Sequence, residues 1–126
     1  MPPPPRASDC HRHIYGRGAG YPPAPNSPFP PVAGGDIAAY LKLREVLGLT
    51  RAVVVQPSVY GFDNRATLHA MAVLGEDARG VALVPPGVSE RELDWLTRQG
   101  VRRIRVFMFG GGLLGWDDLE TLAAKT

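Results

Sequence analysis

Ala52-Val53-Val54-Val55-Gln56-Pro57-Ser58 is a short β-branched apolar run that ends in a polar turn. A continuous apolar run of this length is what a strand covered on both faces of a parallel sheet presents. Its flanks decide the topology. Upstream, Ile37, Tyr40, Leu41, Arg44 and Leu47 recur at three- and four-residue steps, from Asp36 to a stop at Gly48. That spacing predicts an amphipathic helix. Downstream, a loop from Gln56 to Gly61 leads to Asp63, which is placed to cap a second helix carrying Leu68, Met71 and Ala72, with Gly75 at its C-cap.

The alternation continues in both directions. Gly80-Val81-Ala82-Leu83-Val84 reads as another strand, closed by Pro85-Pro86. Ser89-Glu90-Arg91-Glu92 has capping-box spacing for a helix through Leu93 and Leu96 that stops at Gly100. Arg103-Ile104-Arg105-Val106-Phe107 is a further strand, followed by a glycine-rich turn over 109–112. Asp117 with Glu120 repeats the cap logic for a last helix through Leu119, Leu122 and Ala123. Asp9-Cys10-His11-Arg12-His13 supplies the first strand.

Four strand-helix units in this order give an α/β fold of parallel strands. They fit a small open sheet or the first four βα units of a TIM (β/α)8 barrel, whose usual length is roughly 250 residues. With 126 residues the chain matches about half of a barrel, so a truncated barrel is the expectation. Ten of the thirteen prolines fall before residue 32. The expected organisation is a disordered Pro-rich start over 1–8 and a partial barrel over 9–126. A Pro-rich loop at about 15–35 interrupts it, with 21–31 able to act as a lid or wall.

Composition narrows the functional class. Net charge is only +2, and no Lys/Arg block interleaves with aromatics, so a nucleic-acid surface is not expected. No apolar run approaches membrane-spanning length, and Met-Pro-Pro-Pro-Pro-Arg lacks the apolar segment of a signal peptide. A single cysteine, Cys10, excludes an internal disulfide. A cytoplasmic chain is the expectation.

Strand phase selects the candidate site, because successive side chains alternate between faces. Asp9, His11 and His13 share one face of the first strand, with Cys10 and Ile14 on the other. In the fourth strand Ile104, Val106 and Met108 form the apolar face, which turns Arg105 inward. In the second, Val53 and Val55 are assigned to the helix side and Val54, Gln56 and Ser58 to the interior. Imidazoles can bind a divalent metal or polarise a carbonyl, and a guanidinium fork holds a carboxylate by paired hydrogen bonds. Ser58 and Tyr60 could orient an oxygen-rich ligand. The bland assignments are His69 as a surface or packing residue, Cys10 as a small buried apolar group, and Arg102 and Arg103 as solvated charges.

In combination, these residues resemble the amidohydrolase superfamily, specifically its 2-pyrone-4,6-dicarboxylate lactonase-like branch. The resemblance rests on Asp9-Cys10-His11-Arg12-His13-Ile14-Tyr15-Gly16, on Tyr21-Pro22-Pro23-Ala24-Pro25, on Val54-Val55-Gln56-Pro57-Ser58-Val59-Tyr60-Gly61-Phe62-Asp63-Asn64-Arg65, and on Gly100-Val101-Arg102-Arg103-Ile104-Arg105. It implies the amino-terminal half of a TIM barrel that hydrolyses a cyclic ester or related carboxylic substrate. It implies catalytic roles for His11 and His13 in polarising the lactone carbonyl, and substrate-holding roles for Tyr21, Ser58 and Arg105. The branch works without a metal, so no cofactor is expected. In most of the superfamily the same two histidines bind a divalent ion such as zinc, which is the alternative for His11 and His13. The family's later histidine and its general-base aspartate fall beyond Thr126. The chain alone is therefore expected to be inactive and to self-associate or require a carboxyl-terminal half. A metal-dependent amidohydrolase and a non-catalytic half-barrel assembly module are the other readings.

Overall fold

The structure, a computed structural model, describes residues 3–25, 27, 29–107 and 113–125. Strands β1 (Ser8–Arg12), β2 (Arg51–Val55), β3 (Ala78–Ala82) and β4 (Val101–Ile104) form one parallel sheet in the order β1-β2-β3-β4. Helices α1 (Ile37–Leu47), α2 (Arg65–Leu74), α3 (Glu90–Arg98) and α4 (Trp116–Ala123) alternate with the strands. Spatial order equals sequence order, so each helix returns the chain to the adjacent strand. That is the wall of a (β/α)8 barrel, not a doubly wound sheet whose strand order reverses.

Local chemistry sets the helix ends. Asp36 caps α1 by accepting the Ala39 amide at 2.9 Å, and Gly48 closes it at φ 67°, a left-handed conformation suited to a residue without a Cβ. Ser89 accepts the Glu92 amide at 3.2 Å to open α3. Two expected caps shift in position. Asn64 takes the N-cap position of α2, and Asp63, one residue earlier, accepts the Arg65 amide at 3.2 Å and its guanidinium at 2.7 Å. The Asn64 carboxamide reaches instead to the end of β3, donating to Leu83 O at 2.8 Å and accepting its N–H at 3.1 Å. In α4 the N-cap is Gly115, whose amide donates to the Asp118 carboxylate at 2.8 Å, and Asp117 lies within the first turn.

The third and fourth strands begin at Ala78 and Val101, two residues before the apolar runs suggest. The parallel ladder pairs Ala52 with Ala78 and Gly80 with Val101, so hydrogen bonding rather than hydrophobicity sets the start. Met108 and the turn over 109–112 lie outside the described residues.

The core lies between sheet and helices, where Ile14, Tyr40, Val54, Ala70, Ala82 and Leu122 are each at most 2% exposed. Val54 therefore faces the helices, which reverses the expected phase of β2. The Pro-rich start meets the sheet at Ala7, whose carbonyl accepts the Thr50 amide at 3.1 Å. The loop over 15–35 is held at its ends by Tyr15 N–H to Gly35 O at 2.9 Å and in its middle by Ala24 N–H to Val59 O at 2.7 Å. It forms a wall beside the turn that follows β2.

Candidate active site

A bulge in β1 shapes the site. Asp9 pairs with Ala52 and Arg12 with Val54, so the strand carries one residue more than its partner across this interval. An extra residue breaks the two-residue alternation. Asp9 and Arg12 consequently both turn to the helix layer, where the Arg12 guanidinium lies 5.1 Å from the centroid of the Tyr40 ring. Burial, with the nearby Asp9 carboxylate, pushes the Tyr40 hydroxyl up to about 12. Asp9 is thus removed from the expected inward set. Cys10, expected to be buried, is exposed.

His11 and His13 stay together. Their Nε2 atoms are 3.4 Å apart and the rings are perpendicular, with centroids at 4.9 Å. His13 Nδ1 lies 2.8 Å from Val55 O. A carbonyl only accepts, so this contact places the proton on Nδ1 and leaves a lone pair on Nε2 of the neutral ring. Burial lowers the His13 pKa below 6.5, opposed by the Val55 bond and assisted by the positive charge of Arg105.

Arg105 faces inward as its phase predicts. Its guanidinium donates to Gln56 O at 2.8 Å and lies 4.7 Å from the centroid of the Phe107 ring. Successive carbonyls at the end of β2, Val55 and Gln56, therefore hold His13 and Arg105 side by side. The Gln56 side chain does not share this space, which corrects its assignment to the interior. It is fully buried on the helix side, donates to Gly61 O at 2.9 Å and Asp63 O at 2.8 Å, and accepts from Thr67 Oγ1 at 2.6 Å.

The other candidates are less directly placed. Ser58 is half-buried in the single 3-10 turn Ser58–Tyr60 that follows β2. Tyr60 is 3% exposed, and its hydroxyl accepts the Gly16 amide at 3.0 Å, so it supports the loop from beneath. Burial raises its pKa, and the Gly16 bond opposes that rise. Tyr21 packs against the cluster of Val59, Tyr60 and Ala66. It also lines a cleft of about 160 Å3 with Ile14, Ile37 and His69, on the helix side of the loop. His69 is exposed at its rim. Tyr15, not among the candidates that strand phase selects above, stands 6.3 Å from the Tyr60 ring and near Arg105. The signal was available, because Tyr15 continues the two-residue phase of His11 and His13.

Gly16 is where this wall is tightest. A Cβ there would lie 2.1 Å from the Tyr21 ring. Gly16→Ala is expected to expel Tyr21 and lower stability by about 1–3 kcal/mol. Urea unfolding together with Tyr21 fluorescence checks this; an unchanged midpoint would mean that the loop does not pack as described.

The two imidazoles also have the spacing of metal ligands. A separation of 3.4 Å matches what two nitrogens about 2.0–2.1 Å from one tetrahedral ion would span, and the lone pair on His13 Nε2 suits that role. Among the described residues no group of three or more His, Cys, Asp or Glu converges. Among the described residues His11 and His13 thus offer two positions of a coordination shell.

Comparison with known proteins identifies the family and the fold. The sequence pattern of the amidohydrolase family matches residues 8–125. Over 122 residues the chain is 41% identical to the 2-pyrone-4,6-dicarboxylate hydrolase of Comamonas testosteroni, covering 94% of this chain and 39% of that protein. It is 36% identical to the 4-sulfomuconolactone hydrolase of Rhizobium radiobacter over 122 residues, covering 92% of this chain and 40% of that one. The apo crystal structure of an Agrobacterium tumefaciens protein superposes with a TM-score of 0.86 at 29% identity, over 97% of this chain and 44% of the other. The chain thus spans about two fifths of the length of the curated relatives it matches.

Proposed function

The chain belongs to the amidohydrolase family, and on that premise we propose that it carries the carbonyl-polarising and carboxylate-holding part of a lactone hydrolase site. The observation that supports this most is the convergence of His11 and His13 Nε2 at 3.4 Å, with Arg105 tethered on the neighbouring carbonyl. The relatives named for hydrolysis of a pyrone dicarboxylate and of a sulfomuconolactone support the same class, since both names denote cyclic esters bearing acidic groups. Arg105 would hold a substrate carboxylate through its remaining N–H groups, and Ser58 would contact the rest of the ring.

In the reaction, water oxygen bonds to the acyl carbon, the ring C–O bond breaks, and the departing oxygen takes a proton. The chain's own contribution is to the acyl oxygen. With Nδ1–H of His13 committed to Val55 O, the neutral pair holds a single Nε2 proton, on His11. One further proton turns both Nε2 atoms into donors aimed at a common oxygen. The group that activates water is proposed to come from outside these residues, so residues 1–126 alone are expected to show no turnover. A cytoplasmic location and a small-molecule carboxylate or lactone partner belong to the same proposal. Among the described residues no helix is long and apolar enough to cross a membrane.

The second reading, a metal-dependent hydrolase, rests on the same Nε2 separation. A divalent ion held there would supply Lewis-acid polarisation and water activation. The two readings differ in sign with pH. Polarisation by the protonated pair is lost as pH rises, whereas metal binding by neutral imidazoles is lost as pH falls. The test replaces the corresponding segment of the Comamonas relative with residues 1–126 and assays 2-pyrone-4,6-dicarboxylate hydrolysis against pH, with metal analysis before and after chelation. His13→Ala is expected to cost about 100-fold or more in kcat. Full activity of His11→Ala and His13→Ala would end both readings.

A further inference from the structure

Arg105 is held at both its backbone and its side chain by the two strands that precede its own. Consecutive carbonyls at the end of β3 serve opposite neighbours. Val81 O accepts the Gln56 amide at 2.8 Å on the β2 side, and Ala82 O accepts the Arg105 amide at 2.7 Å on the β4 side. The Arg105 guanidinium then reaches over β3 to donate to Gln56 O at 2.8 Å. Its direction therefore depends on how the ends of β2 and β3 lie relative to one another.

Two side chains at the start of α2 set that relation. The Thr67 hydroxyl, fully buried, donates to Gln56 Oε1 at 2.6 Å, while the Gln56 amide group donates to Gly61 O and Asp63 O. A carbonyl only accepts, so those two oxygens take both N–H groups of Gln56 and leave its oxygen for Thr67. The Asn64 carboxamide grips the end of β3 instead. It donates to Leu83 O at 2.8 Å and accepts the Leu83 amide at 3.1 Å, one residue beyond Ala82. The segment 56–67 thus fastens both strand ends that hold Arg105.

We infer that Thr67 and Asn64 are positioning residues for Arg105, and that through it they set how strongly the site selects a carboxylate on its substrate. The inference rests on the proposed role of Arg105 as the carboxylate holder. A guanidinium pairs with a carboxylate by two parallel, in-plane hydrogen bonds, so the pairing depends on the plane in which the fork lies. Gln56 O fixes that plane through one N–H, and the Phe107 ring, its centroid 4.7 Å away, limits the tilt. With the Thr67 or Asn64 bonds removed, Gln56 O and Ala82 O shift relative to each other and the fork loses its aim. Neither substitution alters Arg105 itself. The loss falls on carboxylate binding more than on the histidines, because Val55 O still anchors His13.

Three variants test this. Thr67→Val keeps the volume and removes the hydroxyl, Thr67→Ser keeps the hydroxyl, and Asn64→Asp keeps the acceptor for the Leu83 amide and removes the donor. Nitrogen NMR of the guanidinium in residues 1–126 reads the bond to Gln56 O without any lactone. The Arg105 Nη1 protons are expected to exchange slowly in the wild type and in Thr67→Ser, and to average with solvent in Thr67→Val and Asn64→Asp. In the chimera of residues 1–126 with the Comamonas relative, Thr67→Val is expected to raise KM for 2-pyrone-4,6-dicarboxylate several-fold with a smaller fall in kcat, and Thr67→Ser to restore it. Arg105→Gln separates this inference from the reading beneath it. An unchanged KM in Arg105→Gln would end the carboxylate-holding role itself. A raised KM there, with wild-type KM and guanidinium signals in Thr67→Val, would leave that role standing and overturn the positioning inference. The Thr67 pair decides the question alone if Asn64→Asp unfolds.

Discussion

Gln56→Leu is expected to destabilise residues 1–126 by about 3–5 kcal/mol. Leucine fills nearly the same space, so packing loss is minor. What is lost is polar pairing. Gly61 O and Asp63 O lose their donor, and the Thr67 hydroxyl loses the oxygen it reaches at 2.6 Å. Each buried polar group left without a partner costs about 1–3 kcal/mol. The side chain is fully buried, so solvent cannot take over these bonds at its own position. Urea denaturation followed by circular dichroism measures the change. Thr67→Val, which removes only one of the three bonds, sets the scale at about 1 kcal/mol. A Gln56→Leu protein within 1 kcal/mol of the wild type would mean that the turn holding Ser58 is kept by something else.

Gln56 also shows where sequence reasoning stops. In Ala52-Val53-Val54-Val55 both faces are apolar, so alternation separates two sets without saying which set meets the helices. Only the packing of Val54 in the core and the Thr67 bond decide it. The bulge in β1 is hidden for a related reason. The extra residue between Asp9 and Arg12 exists only relative to β2, and nothing in the pentapeptide encodes the register of its partner. It moved Asp9 to the helix side while leaving His11 and His13 together. By contrast, the ends of α1 and α3 were legible, since Asp36, Gly48 and Ser89 act on backbone groups within four residues of themselves. Arg105 was legible because its strand carries polar residues on one face and apolar residues on the other.

The histidine pair offers the second large effect, a titration with a definite sign. His13 is expected to titrate below 6.5 in the folded chain, because burial disfavours the imidazolium and the Val55 bond offsets this only in part. The unfolded chain then binds the proton more readily than the folded one. Stability from this group is therefore fully present above the unfolded value of about 6.5 and is lost as pH falls through the lowered folded pKa. Arg105→Gln removes a positive charge beside the ring and is expected to raise the His13 pKa. Burial is the larger cause, so the value should remain below 6.5. Nitrogen NMR of the imidazole reads both the pKa and the tautomer, which should be the Nδ1–H form in the wild type. An Nε2–H tautomer would break the assignment of Val55 O as its anchor. A His13 that titrates at or above 6.5 beside an intact Arg105 would show that the ring is wetter than its surroundings imply. Nε2 would then take its proton at higher pH, which favours the polarising pair and disfavours metal binding by the neutral ring.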